Sequence, residues 1–415
     1  MRRLLAFAAA TTAGKRPGRH NAPRTTAAAP LLSPFVVDGP VRRRGARRPE
    51  PARLPPANTR PVSGGSDSAA AMKSARIRDR IGLGSADRGC LMKKMTATVL
   101  AALGCLAAAQ AQAARVEIPI RQTVLPDGEI RYSVPIRLGA TAVEAMLDTG
   151  STGIRVLPGT LVTGDFTPSG TSSNYSYGSG AELRGVVARA TLSLGEVAGP
   201  VSFEAVQIVD CEQRQPHCPV SRVAPADYGI GGSGIPKQGF RAIFGTLFRP
   251  AEVDNPLIAL GVNHWIVLLP RPGDSEPGKL ILNPSAEETA GYTMFRLPQP
   301  KVGSAVPGCL INDNTSARIC GRVLFDTGAP GLHVESQGAI DGFPWPAGTV
   351  ASLVLQDERG HRGGLRFTVG SEHHAGLGID PNSNLPFARI SGAVPFYAVS
   401  VLYDASTGEV GIKPR

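Results

Sequence analysis

The chain of 415 residues is long enough for two domains, because single hydrophobic cores rarely grow beyond about 250–300 residues. Its net charge of +11 is unevenly distributed: residues 1–91 carry 18 Lys and Arg against 5 Asp and Glu, whereas residues 92–415 carry 26 against 28. The basic character therefore belongs to the first 91 residues, and the slightly acidic remainder excludes a strongly basic nucleic-acid-binding domain.

Residues 1–91 are predicted to be a disordered basic leader. They contain Arg-, Pro- and Ala-rich stretches such as residues 40–62, few aromatic residues and no sustained apolar period, so they cannot bury a core. A basic run of this kind can bind nucleic acid or an anionic membrane. We favour a different interpretation, a leader that is cleaved or not translated, because a better start follows at Met92.

Residues 92–113 have the layout of a secretory signal peptide. Two lysines follow the methionine, an apolar stretch runs from Ala97 to Ala109, and the small residues at 111–113 fit a cleavage site. The apolar stretch is short for a bilayer span, so a retained membrane anchor is the weaker alternative. Lipid attachment at Cys105 is another, although the residues before it match a lipoprotein cleavage box poorly. We therefore predict an exported protein, periplasmic or secreted, without a stable membrane span.

Four cysteines remain in the exported chain, and they form two close pairs. Cys211 and Cys218 have six residues between them, and Cys309 and Cys320 have ten. An oxidising compartment favours two local disulfides. A zinc site is the alternative, but these spacings match no common zinc motif. The prediction is therefore two disulfides, with no metal and no cofactor.

From Val116 onward the pattern predicts short strands. Apolar or alternating runs are separated by Gly, Pro, Asn and Asp, which is typical of a mostly antiparallel β protein. In chain order, these runs include Tyr132–Leu138, Val186–Leu194, Val201–Val209, Trp265–Leu269 and Lys279–Leu282. The roughly 300 residues that contain them need more than one packed sheet.

An internal repeat predicts two similar lobes. Residues 146–156 align without gaps on residues 324–334: each segment has two apolar residues, Asp-Thr-Gly, two variable residues, Gly, an apolar residue, a variable residue and Val. The two aspartates are 178 residues apart, which leaves room for one copy in each lobe. We place the lobes at residues 114–290 and 291–415.

The repeated aspartates, Asp148 and Asp326, are candidate functional residues. A single Asp-Thr-Gly is typical of a turn, but a carboxylate placed directly after two apolar residues must be hydrogen-bonded if it is buried. Gly150 and Gly328 permit a tight backbone turn beside each carboxylate. The threonines between them can join the two loops through their hydroxyls.

Two carboxylates held a few ångströms apart cannot both ionise readily, because like charges repel. They then share one proton, so that one carboxylate acts as a base and the other as an acid. A water molecule between them can be activated to attack a peptide carbonyl, without a metal or a covalent intermediate.

The sequence resembles the pepsin-like aspartic peptidases, in their bacterial, exported form, over nearly all of the exported chain. The matching elements, in chain order, are the first active-site loop at residues 148–152, the tip of the flap that closes over bound peptide at 175–180, an apolar-apolar-Gly element at 243–245, the second active-site loop at 326–328, a second Gly element at 390–392 and the closing strands at 394–414.

The resemblance implies an all-β, bilobal fold with the active-site cleft between two similar β-rich lobes. It also implies a monomeric aspartic endopeptidase that acts on peptides or unfolded proteins, without a cofactor, a metal or nucleic acid. Residues 114–147 match the first strands of a mature enzyme in length, so we expect synthesis without an inhibitory prosegment. The residue roles that it implies are catalysis by Asp148 and Asp326, substrate binding by Tyr177, Gly178, Ser179, Gly150 and Gly328, and support of the active-site loops by Thr149, Ser151 and Thr327.

Three positions depart from the family pattern. Ala329 replaces the usual Ser or Thr after the second Asp-Thr-Gly, Arg155 stands where a Trp often supports the flap tyrosine, and Ser391 interrupts the second apolar pair. The hydroxyl missing at Ala329 predicts an activity optimum less acidic than that of a digestive pepsin. These departures keep open an alternative, a noncatalytic pepsin-fold module that binds a peptide or a protein.

Overall fold

The computed structural model describes residues 33–35, 114–298 and 305–415, which form strands and little helix. The strands, numbered in chain order, are β1 Ser33–Phe35, β2 Val116–Val124, β3 Ile130–Leu138, β4 Thr141–Asp148, β5 Thr152–Val156, β6 Thr167–Ser176, β7 Ala181–Leu194, β8 Val197–Cys211, β9 Ala242–Thr246, β10 His264–Leu268, β11 Gly278–Leu282, β12 Thr293–Arg296, β13 Ala305–Asn312, β14 Arg318–Phe325, β15 Leu332–Glu335, β16 Val350–Gln356, β17 Arg362–Thr368, β18 Leu377–Asp380, β19 Ala388–Gly392, β20 Val399–Asp404 and β21 Glu409–Pro414. Two one-turn helices, α1 (Pro256–Ala259) and α2 (Ala286–Thr289), are capped by Asn255 and Ser285.

Most of the predicted leader and the whole predicted signal peptide lie outside the described residues. The exception is β1, which pairs antiparallel with β17 and belongs to the same compact unit as residues 115–415. The leader, the signal peptide and the lobe boundary after residue 290 stay predictions. Within the ranges that the structure describes, no helix is long and apolar enough to cross a membrane.

The described strands form two sheets, which confirms the predicted all-β class. The first has 13 strands in the order β12-β21-β20-β10-β11-β2-β3-β4-β9-β5-β8-β7-β6, and the second has 8 in the order β1-β17-β16-β13-β14-β19-β15-β18. Strands β20 and β21, at the end of the chain, pair beside β10 in the first sheet. That sheet therefore contains strands from both halves of the sequence.

The internal repeat appears as a repeated topology. In the first half, β4 pairs in parallel with β9, and β5 pairs antiparallel with the same strand. In the second half, β14 and β15 pair with β19 in the same two orientations. Each Asp-Thr-Gly loop therefore connects two strands that flank a third, and the predicted apolar-apolar-Gly elements lie in that third strand.

Each of these third strands has a glycine in one of its last two positions, for a steric reason. A Cβ at Gly245 would lie 2.7 Å from the carbonyl oxygen of Ser151, and one at Gly392 would lie 2.1 Å from that of Gly331. Only glycine leaves room for the loop to fold back over the strand this closely. Ser391, which interrupts the second apolar pair, is buried within β19 and keeps the strand register.

One large apolar core joins the two halves and fixes the strands that lead into the loops. Leu147 and Phe325, the residues immediately before the two aspartates, are both fully buried in it. Trp265 of β10 stacks on Tyr403 of β20, with ring centroids 5.7 Å apart. Because the residues before each aspartate are held in this rigid core, the loops have little freedom to move apart.

Both predicted disulfides are present. Cys211 bonds to Cys218 in the loop that follows β8, and Cys309 bonds to Cys320 across the directly paired strands β13 and β14. The second bond therefore reinforces the strand pair that leads to Asp326.

Candidate active site

The two Asp-Thr-Gly loops face each other, with each glycine against the opposite aspartate. A Cβ at Gly150 would lie 2.4 Å from the carboxylate oxygens of Asp326, and one at Gly328 would lie 2.6 Å from Asp148 Oδ1. Any side chain at either position would therefore displace a carboxylate. The absence of a side chain at both glycines lets the two acids approach each other.

A reciprocal set of hydrogen bonds joins the loops beneath the carboxylates. Thr149 Oγ1 donates to the Phe325 carbonyl at 2.7 Å and accepts from the Thr327 amide at 3.0 Å. Thr327 Oγ1 donates to the Leu147 carbonyl at 2.7 Å and accepts from the Thr149 amide at 3.1 Å. Both threonines are buried, so these four bonds are shielded from water.

The hydrogen bonds to the two aspartates are unequal. Asp148 accepts from the Gly150 amide at 2.8 Å and from the Ser151 hydroxyl at 2.6 Å. Asp326 accepts the equivalent amide bond from Gly328 at 2.8 Å, but Ala329 has no hydroxyl to donate at the position matching Ser151. A carboxylate is stabilised by each donor that it gains, so Asp326, which has one donor fewer, holds its proton more readily.

The pKa of Asp326 is raised well above its usual range. Desolvation by the surrounding loops is the largest cause, and the charge of Asp148 and the hydrogen bond between the two carboxyls raise it further; the Gly328 amide opposes these effects. The arrangement therefore favours one proton on the pair, held at Asp326.

The predicted flap is the hairpin of β6 and β7. Its turn is residues 177–180: the Tyr177 amide donates to the Ala181 carbonyl and the Gly180 amide donates to the Tyr177 carbonyl, both at 2.9 Å. Gly178 and Ser179 are exposed at the tip. The Tyr177 hydroxyl is buried and has no hydrogen-bond partner among the described residues. The ring of Tyr175 lies 4.9 Å from that of Tyr177.

Arg155, the residue that replaces the usual Trp, lies beneath this hairpin. Its guanidinium carbon is 3.5 Å from the centroid of the Tyr175 ring. Its Nε lies 3.0 Å from a carboxylate oxygen of Glu204, and both side chains are almost completely buried. Burial raises the pKa of Glu204 to about 7, although Arg155 lowers it.

A solved structure shares this architecture. The aspartic proteinase from Irpex lacteus is similar to this chain with a TM-score of 0.50 and 15% sequence identity, over 72% of this chain and 97% of that chain. The chain has a pepsin-like aspartic proteinase fold. No family model and no curated protein matches the sequence.

Within this pepsin-like fold, the predicted site residues form three groups. The aspartates, glycines and threonines of the two loops meet at one place, and Ser151 bonds to one of the aspartates. Tyr177, Gly178 and Ser179 form the flap turn, and the four cysteines lie in the disulfides. No group of three or more His, Cys, Asp or Glu side chains suited to a metal ion occurs in residues 114–298 or 305–415.

The sequence analysis missed two residues that contact the flap region. Glu204 is buried in β8 directly opposite Arg155 of β5, and Glu252 accepts a 3.0 Å hydrogen bond from the Asn174 amide in the flap. Glu204 does leave a sequence signal, because it is the single charged residue in the mostly apolar stretch Val201–Val209 of β8. A charged residue at such a position needs a buried partner, but the sequence did not show which one.

Proposed function

We propose that the chain is an exported aspartic endopeptidase of bacterial type, and that Asp148 and Asp326 hydrolyse peptide bonds through a shared water molecule. The observation that carries the proposal is the pair of facing carboxyls, each against the glycine of the opposite loop, with unequal hydrogen-bond donors on the two sides. The two disulfides agree with export into an oxidising compartment.

In the proposed mechanism, Asp148 is the base and Asp326 is the acid. Asp148 accepts a proton from the water as its oxygen attacks the scissile carbonyl carbon, and Asp326 donates its proton to the carbonyl oxygen. The product of this step is a neutral tetrahedral diol. The C–N bond then breaks as Asp148 returns its proton to the leaving nitrogen and Asp326 recovers a proton from the diol, which restores the starting protonation state.

The loops and the flap have separate tasks in this mechanism. The Thr149 and Thr327 hydrogen bonds hold the carboxyls in place, so that little reorganisation is needed during the reaction. The flap turn covers the substrate, where Tyr177, Gly178 and Ser179 contact the peptide and exclude water. Gly150 and Gly328 leave room for the peptide beside the acids. The substrate is an extended peptide or an unfolded protein.

The decisive experiment is an assay of the purified protein on an unfolded protein between pH 3 and 7, with and without pepstatin. Asp148→Asn and Asp326→Asn keep the side-chain shape and remove the acid–base pair, so each is expected to lower kcat by at least about a thousandfold. Asp274→Asn is the matched control, because Asp274 is an exposed turn residue and its change leaves the loops intact. Equal turnover by the wild type and both site variants would exclude the mechanism.

A noncatalytic peptide-binding module is the second candidate, favoured by the missing hydroxyl at Ala329. In that case the wild type would bind pepstatin or an unfolded peptide, and it would cleave no peptide at any pH in this range.

A further inference from the structure

We propose that the buried pair of Arg155 and Glu204 supports the flap. The pair positions Tyr175, and through Tyr175 it positions the turn at residues 177–180. The expected effect on KM rests on the proposed function. The expected effect on the mobility of the flap rests on the geometry alone. Arg155 and Glu204 are positioning residues in this proposal, since neither is placed against the reacting atoms.

Arg155 is held on several sides. It lies in β5, seven residues after Asp148, and is 2% exposed. Its Nη1 donates to the Thr152 carbonyl at 2.7 Å, and its Nε faces Glu204 at 3.0 Å. The remaining face of the guanidinium lies against the ring of Tyr175 at 3.5 Å. A planar cation fixed in this way presents one flat surface to the flap strand.

Glu204 fixes the orientation of the Arg155 guanidinium plane. It lies in β8, and the parallel pairing of β5 with β8 places it in register with Arg155. Neither side chain has an appreciable route to water, because Glu204 is 0% exposed. A buried cation that loses its carboxylate partner must find another, so removal of Glu204 would release the guanidinium from its present orientation.

The Arg155–Glu204 pair is connected to the tip of the flap through two aromatic rings. Tyr175 is the second-last residue of β6, and its ring contacts that of Tyr177, the first residue of the turn. A desolvated cation is attracted to an aromatic face by the negative potential over the ring. We therefore expect the turn to occupy its observed place for a smaller fraction of the time when either the cation or the ring is removed.

The first test measures amide hydrogen exchange of the flap, residues 167–194, in the purified protein. Tyr175→Leu and Arg155→Met are each expected to raise exchange of the amides around the turn by about fivefold or more, since that is the factor that 1 kcal/mol represents. Tyr175→Phe keeps the ring and is expected to exchange like the wild type. Glu204→Gln keeps the size of the side chain and removes the charge that Glu204 carries above its pKa of about 7. An increase of exchange is therefore expected in this variant at pH 8.

The second test measures kcat and KM on one peptide substrate. A loosened flap weakens substrate binding, so KM is expected to rise by about fivefold or more in Tyr175→Leu and Arg155→Met, with a smaller change in kcat. Tyr175→Phe should restore the wild-type KM. Tyr292→Leu is the control, because Lys413 contacts the ring of Tyr292 at 5.5 Å in a different part of the fold.

Exchange and KM that are unchanged in Tyr175→Leu would overturn the proposal, as would the same increases in Tyr292→Leu. Tyr175 is partly exposed, so this variant carries the test if Arg155→Met does not fold. Amide exchange needs no turnover. If no variant or wild-type protein cleaves any peptide, the proposed function fails while the exchange measurement still decides whether Arg155 and Glu204 hold the flap.

Discussion

Ser151 and Ala329 occupy equivalent places in the two loops, and their difference gives the two aspartates unequal hydrogen bonds. Ser151 donates a hydrogen bond at 2.6 Å to Asp148, whereas Ala329 has nothing to donate to Asp326. The carboxyl with fewer donors keeps its proton to higher pH, in agreement with the raised pKa of Asp326. One methyl group in place of a hydroxymethyl group therefore extends the range over which the pair holds a single proton.

Restoring the hydroxyl is expected to move the activity profile toward acid. In Ala329→Ser, a new donor would stabilise the carboxylate of Asp326 and lower its pKa, so the alkaline limb of kcat/KM should shift down by about one pH unit. The measurement is a pH–rate profile of the wild type and the variant. The wild type is expected to have its optimum well above pH 2.

Ser151→Ala provides the reciprocal comparison, because it removes the donor on the other acid. It is expected to move the acid limb of the profile upward and leave the alkaline limb nearer its wild-type position. An alkaline limb that stays in place in Ala329→Ser would show that position 329 does not control the proton on Asp326.

At the scale of elements, each loop is held by the strand before it and by the opposite loop. The parallel pairs β4–β9 and β14–β19 fix the aspartate strands, and the two threonine hydroxyls connect one loop to the other. A hydroxyl that both donates and accepts in a buried place satisfies two backbone groups at once. Its loss removes one hydrogen bond from each of these groups.

Thr149→Val is therefore expected to be costly although it conserves the shape of the side chain. It leaves the Thr327 amide without its partner and the Phe325 carbonyl with only the 3.3 Å bond from the Tyr403 hydroxyl, which should lower the free energy of unfolding by about 2–4 kcal/mol. Thr327→Val should cost a similar amount, because its contacts are the mirror set. Urea denaturation measures both values.

Thr152→Val is the matched control for the threonine variants. Thr152 is buried in the same region, but its hydroxyl makes a single 3.2 Å bond to the Leu247 carbonyl within its own half of the fold. We expect a loss of about 1 kcal/mol there. A loss as large as that of Thr149→Val would mean that the connection between the loops contributes nothing special.

The sequence was sufficient to predict what local motifs and repetition encode. Asp148 and Asp326, their neighbouring glycines and threonines, the flap turn and both disulfide pairs all lie in short segments with recognisable patterns. The partner of Arg155 was not predictable in this way, because β8 follows β5 only after the whole flap hairpin, and its parallel register is fixed by the sheet. The prediction of a mostly antiparallel protein is correct for most of the described strand pairs. The parallel pairs beside the two loops depend on the sheet in the same way.

At the scale of the whole molecule, the carboxyl groups with shifted pKa values fall into two classes that respond oppositely to pH. Glu204 and Asp326 have raised pKa values, because desolvation outweighs the groups that stabilise their charge. A second class has lowered pKa values through hydrogen bonds and nearby cations. Its members include Glu117, Glu288, Asp357 and Asp404.

Whether a carboxyl group stabilises the folded state at low or at high pH depends on which state, folded or unfolded, binds its proton more tightly. Glu204 has a pKa raised from 4.5 to about 7, so it favours folding fully below about pH 4.5 and loses that effect as the pH rises through 7. Asp326 acts in the same direction. The second class favours folding above the usual carboxyl range and loses its effect as the pH falls below it. The two trends together place maximum stability in mild acid.

We therefore predict that the melting temperature falls as the pH rises from 5 to 8, and that Glu204→Gln flattens this slope. The carboxyl of Glu204 faces Arg155 of β5, Ser173 of the flap and, at longer range, Glu252; of these, the first two lower its pKa and the third raises it. A shift of this size corresponds to at most about 3 kcal/mol between the two ends of the range. Glu288→Gln is the control, because the pKa of Glu288 is lowered and its removal should change the curve only on the acid side. Parallel melting curves for the wild type and Glu204→Gln between pH 5 and 8 would show that Glu204 does not titrate in this range, and that another group is responsible for the slope.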